Sequence, residues 1–177
     1  MRKILIVIDM QNDFVTGALG SKEALAILPQ VKNKINECLQ GGNELIFTRD
    51  THDDDYLQTN EGKHLPVPHC IKGTDGWQIC ESLTKGIPGH YQIVDKPSFG
   101  FTGWREVISD DTPDGSDLDI TLIGVCTDIC VVSNALILKA LYPEARISVD
   151  SSCCARVTPT AHEAALATMR SCQIKVM

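Results

Sequence analysis

The chain has 177 residues, 43% hydrophobic and 22% charged, with a formal net charge of −7 at pH 7. That length suits a single domain whose core needs no covalent staples, and the composition is that of a globular protein. The acidic balance, without any Lys/Arg run, argues against a nucleic-acid or anionic-membrane surface.

The N-terminus reads MRKILIVIDMQNDF. Its apolar run extends from Ile4 to Ile8 and is ended by Asp9, too short for the core of a signal peptide or for a membrane span. A buried first strand over Lys3–Ile8 in a cytoplasmic protein is predicted. Ser21 then caps a helix reaching Leu39, with a break at Pro29. Ile27, Val31, Ile35 and Leu39 form its buried stripe, and Gly41-Gly42 ends it. Further strands are predicted at Glu44–Thr48, Tyr91–Val94, Asp119–Val125, Arg146–Val149 and Gln173–Val176. Their runs are continuous rather than alternating, as in ITLIGV, which suits strands covered on both faces.

Shorter helices are predicted over Trp77–Thr84 and Trp104–Ile108. A longer one runs from Ile129 to Leu141 with Val132, Leu136 and Ala140 on its buried face. Thr158-Pro159 opens the last, with Thr158 as cap, proline in the first turn, and Ala161, Ala165, Leu166 and Met169 inward. Two segments read as loops: Thr51–Gly76, long and polar, and the acidic Asp110–Asp119. A loop as long as the first is uncommon in a compact domain unless functional. The β/α alternation predicts a single-domain three-layer α/β/α fold over residues 1–177, with a mainly parallel six-stranded sheet.

Eight cysteines are present: Cys38, Cys70, Cys80, Cys126, Cys130, Cys153, Cys154 and Cys172. The absence of an export signal, the adequate core and the apolar context of several of them favour free thiols in a reducing compartment. No pair has CxxC spacing.

Ligands of open α/β sheets bind beyond the carboxyl ends of the strands. There the sequence places Asp9, then Asp50 and His52, then Lys96, then Thr127, Asp128 and Cys130. Cys130 lies at a helix start, where outward N–H groups lower a thiol pKa; on position alone it reads equally well as a buried structural cysteine. Asp9 and Lys96 are either a structural ion pair or, with Cys130, a nucleophile with its base and counter-charge. Asp50-Thr51-His52 puts two donors on one side of an extended chain. With Glu61, His64 and His69 they could hold zinc, manganese or iron(II), or simply belong to a polar surface loop.

Taken together, DMQNDF at Asp9–Phe14, TRDTH at Thr48–His52, VPHC at Val67–Cys70, DKPSFG at Asp95–Gly100 and GVCTDICV at Gly124–Val131 resemble the isochorismatase-like cysteine hydrolases, and within them the nicotinamidases and pyrazinamidases. The match runs over essentially the whole chain. The resemblance implies a catalytic triad of Asp9, Lys96 and Cys130. It also implies a cis peptide at Val125–Cys126, with the backbone N–H groups of Cys126 and Cys130 as oxyanion donors. One divalent metal, zinc before manganese or iron, would be held by Asp50, His52 and His69 with Glu61 preferred to His64 as fourth ligand, and would bind the ring nitrogen of the substrate. Phe14 and Trp77 would flank the ring.

The implied activity is hydrolysis of nicotinamide to nicotinate and ammonia through a cysteine thioester, in NAD salvage. The implied partner is a small-molecule amide, with no nucleic acid, no membrane and a homo-oligomer left open. Two alternatives stand beside it. One is a relative acting on isochorismate or on a carbamoyl or ureido amide, against which the metal set argues. The other is a non-catalytic metal-binding or redox-sensing protein, which has no need of Lys96 or Asp9.

Overall fold

The computed structural model describes residues 1–87, 89–108 and 112–177. Six strands form one sheet: β1 (Arg2–Ile8), β2 (Glu44–Asp50), β3 (Gln92–Lys96), β4 (Leu118–Val125), β5 (Arg146–Ala155) and β6 (Lys175–Val176). Their order is β3-β2-β1-β4-β5-β6 and every pairing is parallel, so the sheet expected to be mainly parallel is entirely so among the described residues. The chain winds outward from β1 to β3, then returns to β4 beside β1 and winds the other way. The strand order therefore reverses between β1 and β4, which opens a crevice at their carboxyl ends.

The helices are α1 (Asn12–Val15), α2 (Lys22–Ala26), α3 (Leu28–Gln40), α4 (Asn60–His64), α5 (Glu81–Thr84), α6 (Trp104–Val107), α7 (Val132–Leu141) and α8 (Pro159–Ser171). One apolar cluster joins Leu5, Val7, Phe47 and Ile123 to Val31 and Ile35 of α3. The other joins Ile4, Ile6, Ile120 and Leu122 to Ala135 and Leu138 of α7 and Leu166 and Met169 of α8. Alternate strand residues thus feed opposite layers, which is why the runs carry no polar face. No helix among the described residues is long and apolar enough to cross a membrane.

Ser21 and Thr158 accept from the Ala24 and Ala161 amides as caps, and the α2–α3 break falls at Ile27, with Pro29 in the first turn of α3. Other expectations need correction. The buried residues of α7 are Asn134, Ala135 and Leu138; Val132 and Leu136 pack against the core partly buried, as expected, whereas Ala140 is exposed. Its polar residues Ser133, Asn134 and Lys139 do not fall on one side, so periodicity could not select a face. The polar Asn134 turns inward because Phe99 O, Cys130 O and the Phe101 amide meet its side chain.

Strand β5 continues through Asp150-Ser151-Ser152 to Ala155, since Gly124 and Val125 pair with Cys154 and Ala155 beyond a register shift. Strand β6 begins only at Lys175, because Gln173 adopts a left-handed conformation (φ 64°). The helix expected from Trp77 shrinks to α5, and Thr51–Gly76 contains a 3-10 turn (Tyr56–Gln58) as well as α4. Gly62 is required there: a Cβ would meet Tyr56 O at 2.0 Å. Of the acidic segment Asp110–Asp119, Asp110 and Asp111 lie outside the described residues.

Candidate active site and metal centre

Three strand ends bring together a carboxylate, an ammonium and a thiol. Asp9 follows β1 with a left-handed backbone (φ 49°). Its amide donates to Thr48 Oγ1 at 3.1 Å, and its Oδ1 accepts from the same hydroxyl at 2.6 Å. Lys96 closes β3 and is wholly buried. Its Nζ lies 2.7 Å from Asp9 Oδ2, 3.3 Å from Asp50 Oδ1 and 3.6 Å from Cys130 Sγ, and donates to Ser98 O at 3.0 Å. The Asp9 contact is a close ion pair whose alignment is poor for a hydrogen bond.

Cys130 lies in a π-helical turn (Thr127–Val131) after β4, closed by the Val131 amide donating to Cys126 O at 3.1 Å. The Val125–Cys126 peptide is cis. Gly124, at φ 118°, passes so close to β1 that a Cβ would meet Ile8 O at 2.1 Å. Only glycine lets the thiol-bearing turn approach Asp9 this closely.

The electrostatics depart from the expectation of a lowered thiol. Burial pushes Cys130 well above an ordinary cysteine, the Asp9 charge adds to this, and Lys96 offsets only part. Inside the turn the sulfur is buried beside carboxylates, and desolvation outweighs the helix start. Cys126 is pushed up to about 12, by burial first and Asp128 second. Burial also raises Asp9 against the pull of Lys96. Burial opposes the charge on Lys96, but Asp9, Cys130 and Asp50 more than compensate and keep it an ammonium. Both the Cys130 thiol and the Asp9 carboxyl are thus shifted upward, so Asp9 is a stronger base than a free carboxylate.

Beside this group Asp50 ends β2 and His52 follows two residues on. Asp50 Oδ2 is 3.1 Å from His52 Nε2 and 3.6 Å from His69 Nε2, and Glu61 Oε1 is 3.7 Å from each ring nitrogen. The four donor atoms lie within 4.8 Å of one another. His69 Nδ1 is 2.8 Å from Val67 O; a carbonyl only accepts, so this nitrogen carries a proton and Nε2 is the atom turned toward the cluster. Two imidazoles and two carboxylates around one point fit a divalent ion of the zinc, manganese or iron(II) type.

Burial pushes Asp50 up, yet hydrogen bonds from His52 and His69 and the charge of Lys96 hold it far below the usual carboxylate range. Burial, then the Asp50 charge, raises Glu61. His64 is exposed at the end of α4, its Nδ1 2.8 Å from Asn60 O, and Asp53, Asp54 and Asp55 face solvent. None of these four belongs to the cluster.

Sequence reasoning missed the supports. Gln11 is fully buried: its Oε1 accepts from the Asp50 amide at 2.7 Å, and its Nε2 donates to Asp50 O and Trp77 O at 2.9 Å each. The Tyr56 ring packs 4.7 Å from His52 and 5.1 Å from His69. The position of Gln11, three residues beyond the first strand, was the one available signal; its partners depend on strand order.

A cavity of about 370 Å³ unites the two groups. Phe14, Asp50, Glu61, His69, Cys126 and Cys130 line it, with Leu19, Leu65, Phe99, Ile129 and Val157 as apolar wall and Arg156 at its side. Trp77 does not line it. Its indole N–H donates to Thr51 Oγ1 at 2.8 Å, and the Arg49 guanidinium covers its ring at 3.5 Å, so it braces the segment between Asp50 and His52.

A thiol, an ammonium and a carboxylate at the switch point of a parallel sheet, with a metal-type cluster in the same cavity, are the features of an α/β cysteine hydrolase. The chain belongs to the isochorismatase family: the family model for the isochorismatase domain matches residues 3–177. It is 30% identical over 149 residues to an uncharacterized isochorismatase family protein of Bacillus subtilis, covering 77% of this chain and 78% of that one. It is 28% identical over 174 residues to the nicotinamidase of Schizosaccharomyces pombe, covering 78% and 77%. Among solved structures it resembles the pyrazinamidase of Pyrococcus horikoshii in complex with zinc (TM-score 0.83, 25% identity, 100% of this chain and 99% of that). It also resembles the nicotinamidase/pyrazinamidase of Bacillus subtilis (TM-score 0.84, 26% identity, 99% of each chain).

Proposed function

We propose that this protein is a nicotinamidase that hydrolyses nicotinamide to nicotinate and ammonia. The observation that carries this reading is one cavity of small-molecule size lined by Cys130, which contacts Lys96 and through it Asp9, and by Asp50, Glu61 and His69, which cluster with His52. Relatives and structural neighbours named nicotinamidase or pyrazinamidase support it. Eight free thiols suit a reducing cytoplasm.

The carboxylate of Asp9 takes the Cys130 proton as the sulfur attacks the carboxamide carbon, and Lys96 stabilises the developing thiolate. The carbonyl oxygen becomes an oxyanion held by the backbone N–H groups of Cys126 and Cys130, each such donor worth roughly 3–4 kcal/mol. Protonated Asp9 gives its proton to the nitrogen, the C–N bond breaks and ammonia leaves a thioester. Asp9 then draws a proton from water, whose oxygen attacks the thioester carbon. The C–S bond breaks, nicotinate forms, and the sulfur recovers its proton from Asp9. Asp50, His52, Glu61 and His69 would hold one divalent ion, zinc first, which when bound supplies a Lewis-acidic anchor for a neutral donor such as pyridine nitrogen. Phe14, on the cavity wall and edge-on to His69 at 5.5 Å, gives the ring an apolar face.

The test is a coupled ammonia assay of metal-loaded protein on nicotinamide, pyrazinamide and benzamide at equal concentration. Release from the first two and little from benzamide, which has the shape but no ring nitrogen, is expected because poor positioning is expensive in rate. Equal rates on all three would remove the anchoring role. Silence on all three, with turnover of isochorismate or a carbamoyl compound, would transfer the protein to another activity within its family.

A further inference from the structure

Arg156 is the one Lys or Arg among the described residues lining the active-site cavity. It follows β5 directly, and its Nε is buried without a hydrogen-bond partner. No described carboxylate forms an ion pair with it. Asp128, in the π turn, accepts from the Val157 amide at 3.3 Å instead. His162, behind the turn and 3.0 Å from Thr127 Oγ1, gives no counter-charge: burial first, then the Arg156 charge, lowers its pKa. A guanidinium does not deprotonate in a protein, so a desolvated N–H without an acceptor is a standing cost unless a ligand supplies one.

The cavity thus presents three polar points on an apolar wall: the metal-type cluster, the Cys130 thiol and Arg156. The amidase reading uses the first two. A volume of about 370 Å³ falls in the range that holds drug-sized ligands and leaves room beyond one pyridine ring and its carboxamide. The same cavity is lined by Phe99 and Val157, both exposed, and by the one unneutralised cation of the wall.

We propose that Arg156 is a specificity residue that receives an anionic substituent of the substrate, so that the enzyme favours pyridine carboxamides bearing a second, carboxylate group. Guanidinium and carboxylate match as a fork of two parallel charge-assisted hydrogen bonds, and the incoming anion would satisfy donors the fold leaves open. This inference rests on the amidase reading above.

The experiment uses pyridine-3-carboxamides carrying a carboxylate at each remaining ring carbon in turn, each paired with its methyl ester. Ammonia release is followed with metal-loaded parent, Arg156→Gln and Arg156→Lys. The readout is the carboxylate-to-ester ratio of kcat/KM within each protein, which cancels any general loss in a variant. In the parent this ratio should reach about 10- to 100-fold at one ring position, the range of a charge-assisted contact, and should shrink with added salt. Arg156→Gln should bring it to near unity, and Arg156→Lys should keep part of it. Turnover of nicotinamide without a carboxylate preference at any position, or a preference that survives Arg156→Gln, overturns the assignment of Arg156 and leaves the amidase reading intact. No ammonia from any amide, nicotinamide included, overturns the amidase reading beneath it.

Discussion

Two cavities of the same volume, about 370 Å³, lie toward opposite ends of the sheet. The one at the carboxyl ends gathers buried Asp9, Asp50, Lys96 and Cys130 at or next to its wall. The one nearer the amino ends, beside α3, is lined by Lys3, Lys34, Glu37, Asp119 and Lys175, side chains whose charges stay in contact with water. Size therefore does not distinguish them. The difference is desolvation: at the carboxyl edge charges interact in a medium where each ångström matters, and at the amino edge solvent screens them. A buried ammonium shared by two carboxylates costs several kcal/mol of solvation per ion, and such arrangements concentrate where chemistry needs them.

The sharpest way to break the comparison is to remove the thiol. Cys130→Ala should lower kcat/KM by at least about 10⁴-fold, the scale of losing a nucleophile, with the melting temperature little changed. Cys126→Ala should stay within about tenfold of the parent, because only its backbone N–H is assigned to the oxyanion. Equal losses in the two variants, measured by ammonia release, would put the nucleophile elsewhere.

Next comes Lys96. Lys96→Met keeps the stem but leaves Asp9 and Asp50 without their shared cation, 2.7 and 3.3 Å away. Breaking a buried pair in this way costs about 3–5 kcal/mol, to be read from urea unfolding midpoints. Adding Asp9→Asn should recover part of that loss, as expected of coupled neighbours, while activity stays absent. Iodoacetamide labelling of Cys130 should slow in Lys96→Met, since the charge opposing the raised thiol is gone. An unchanged midpoint would mean that the carboxyl edge is no more desolvated than the amino edge.

The metal cluster sharpens the comparison further, since Asp50 ends a strand, His52 lies just beyond it, Glu61 sits on α4 and His69 in the loop. Chelation should remove activity reversibly. Glu61→Ala should weaken metal binding in chelator competition by at least about tenfold, the lower end of the losses seen even for outer partners of a metal. His64→Ala should leave it unchanged, because His64 lies outside the cluster. The reverse result would reassign the fourth ligand.

The same contrast explains what was legible in the sequence. Continuous apolar strands announce themselves, and once they are placed the residues at their carboxyl ends are placed too; Asp9, Lys96 and Asp50 are such residues. Gln11, Thr48 and Tyr56 act across strands or through loop packing, so their partners are invisible until the order β3-β2-β1-β4-β5-β6 is known. The raised Cys130 thiol was misjudged because a helix start is a local feature, whereas desolvation is a property of everything packed around the turn. Ala140 of α7 was misplaced because a polar residue, Asn134, takes the inward face there, so the apolar pattern does not mark it.

The smallest effect is expected at the amino edge, where Lys34 of α3 pairs with Asp150 of β5 at 3.0 Å. A partly exposed pair of this kind is worth about 0–1 kcal/mol, so Lys34→Met should lower stability by no more than that at pH 7 and leave ammonia release intact. The pH dependence has a definite sign. Burial pushes Asp150 up, but hydrogen bonds from Ser152 and Lys34 outweigh it and leave its folded pKa below the ordinary value. Its contribution is therefore present above the unfolded carboxylate pKa of about 4 and is lost as pH falls through the lower folded value. The Asp150 hydrogen bond raises Lys34 despite burial, so the lysine's share is complete below the unfolded pKa of about 10.4 and is lost only as pH rises beyond it. Parent and variant should thus differ by a constant small amount from about pH 5 to 9 and converge in acid. Urea unfolding at pH 7 and pH 3, run beside the ammonia assay, checks both halves. A large fall in activity in Lys34→Met would show that the solvated cavity takes part in turnover, and the contrast between the two edges would fail.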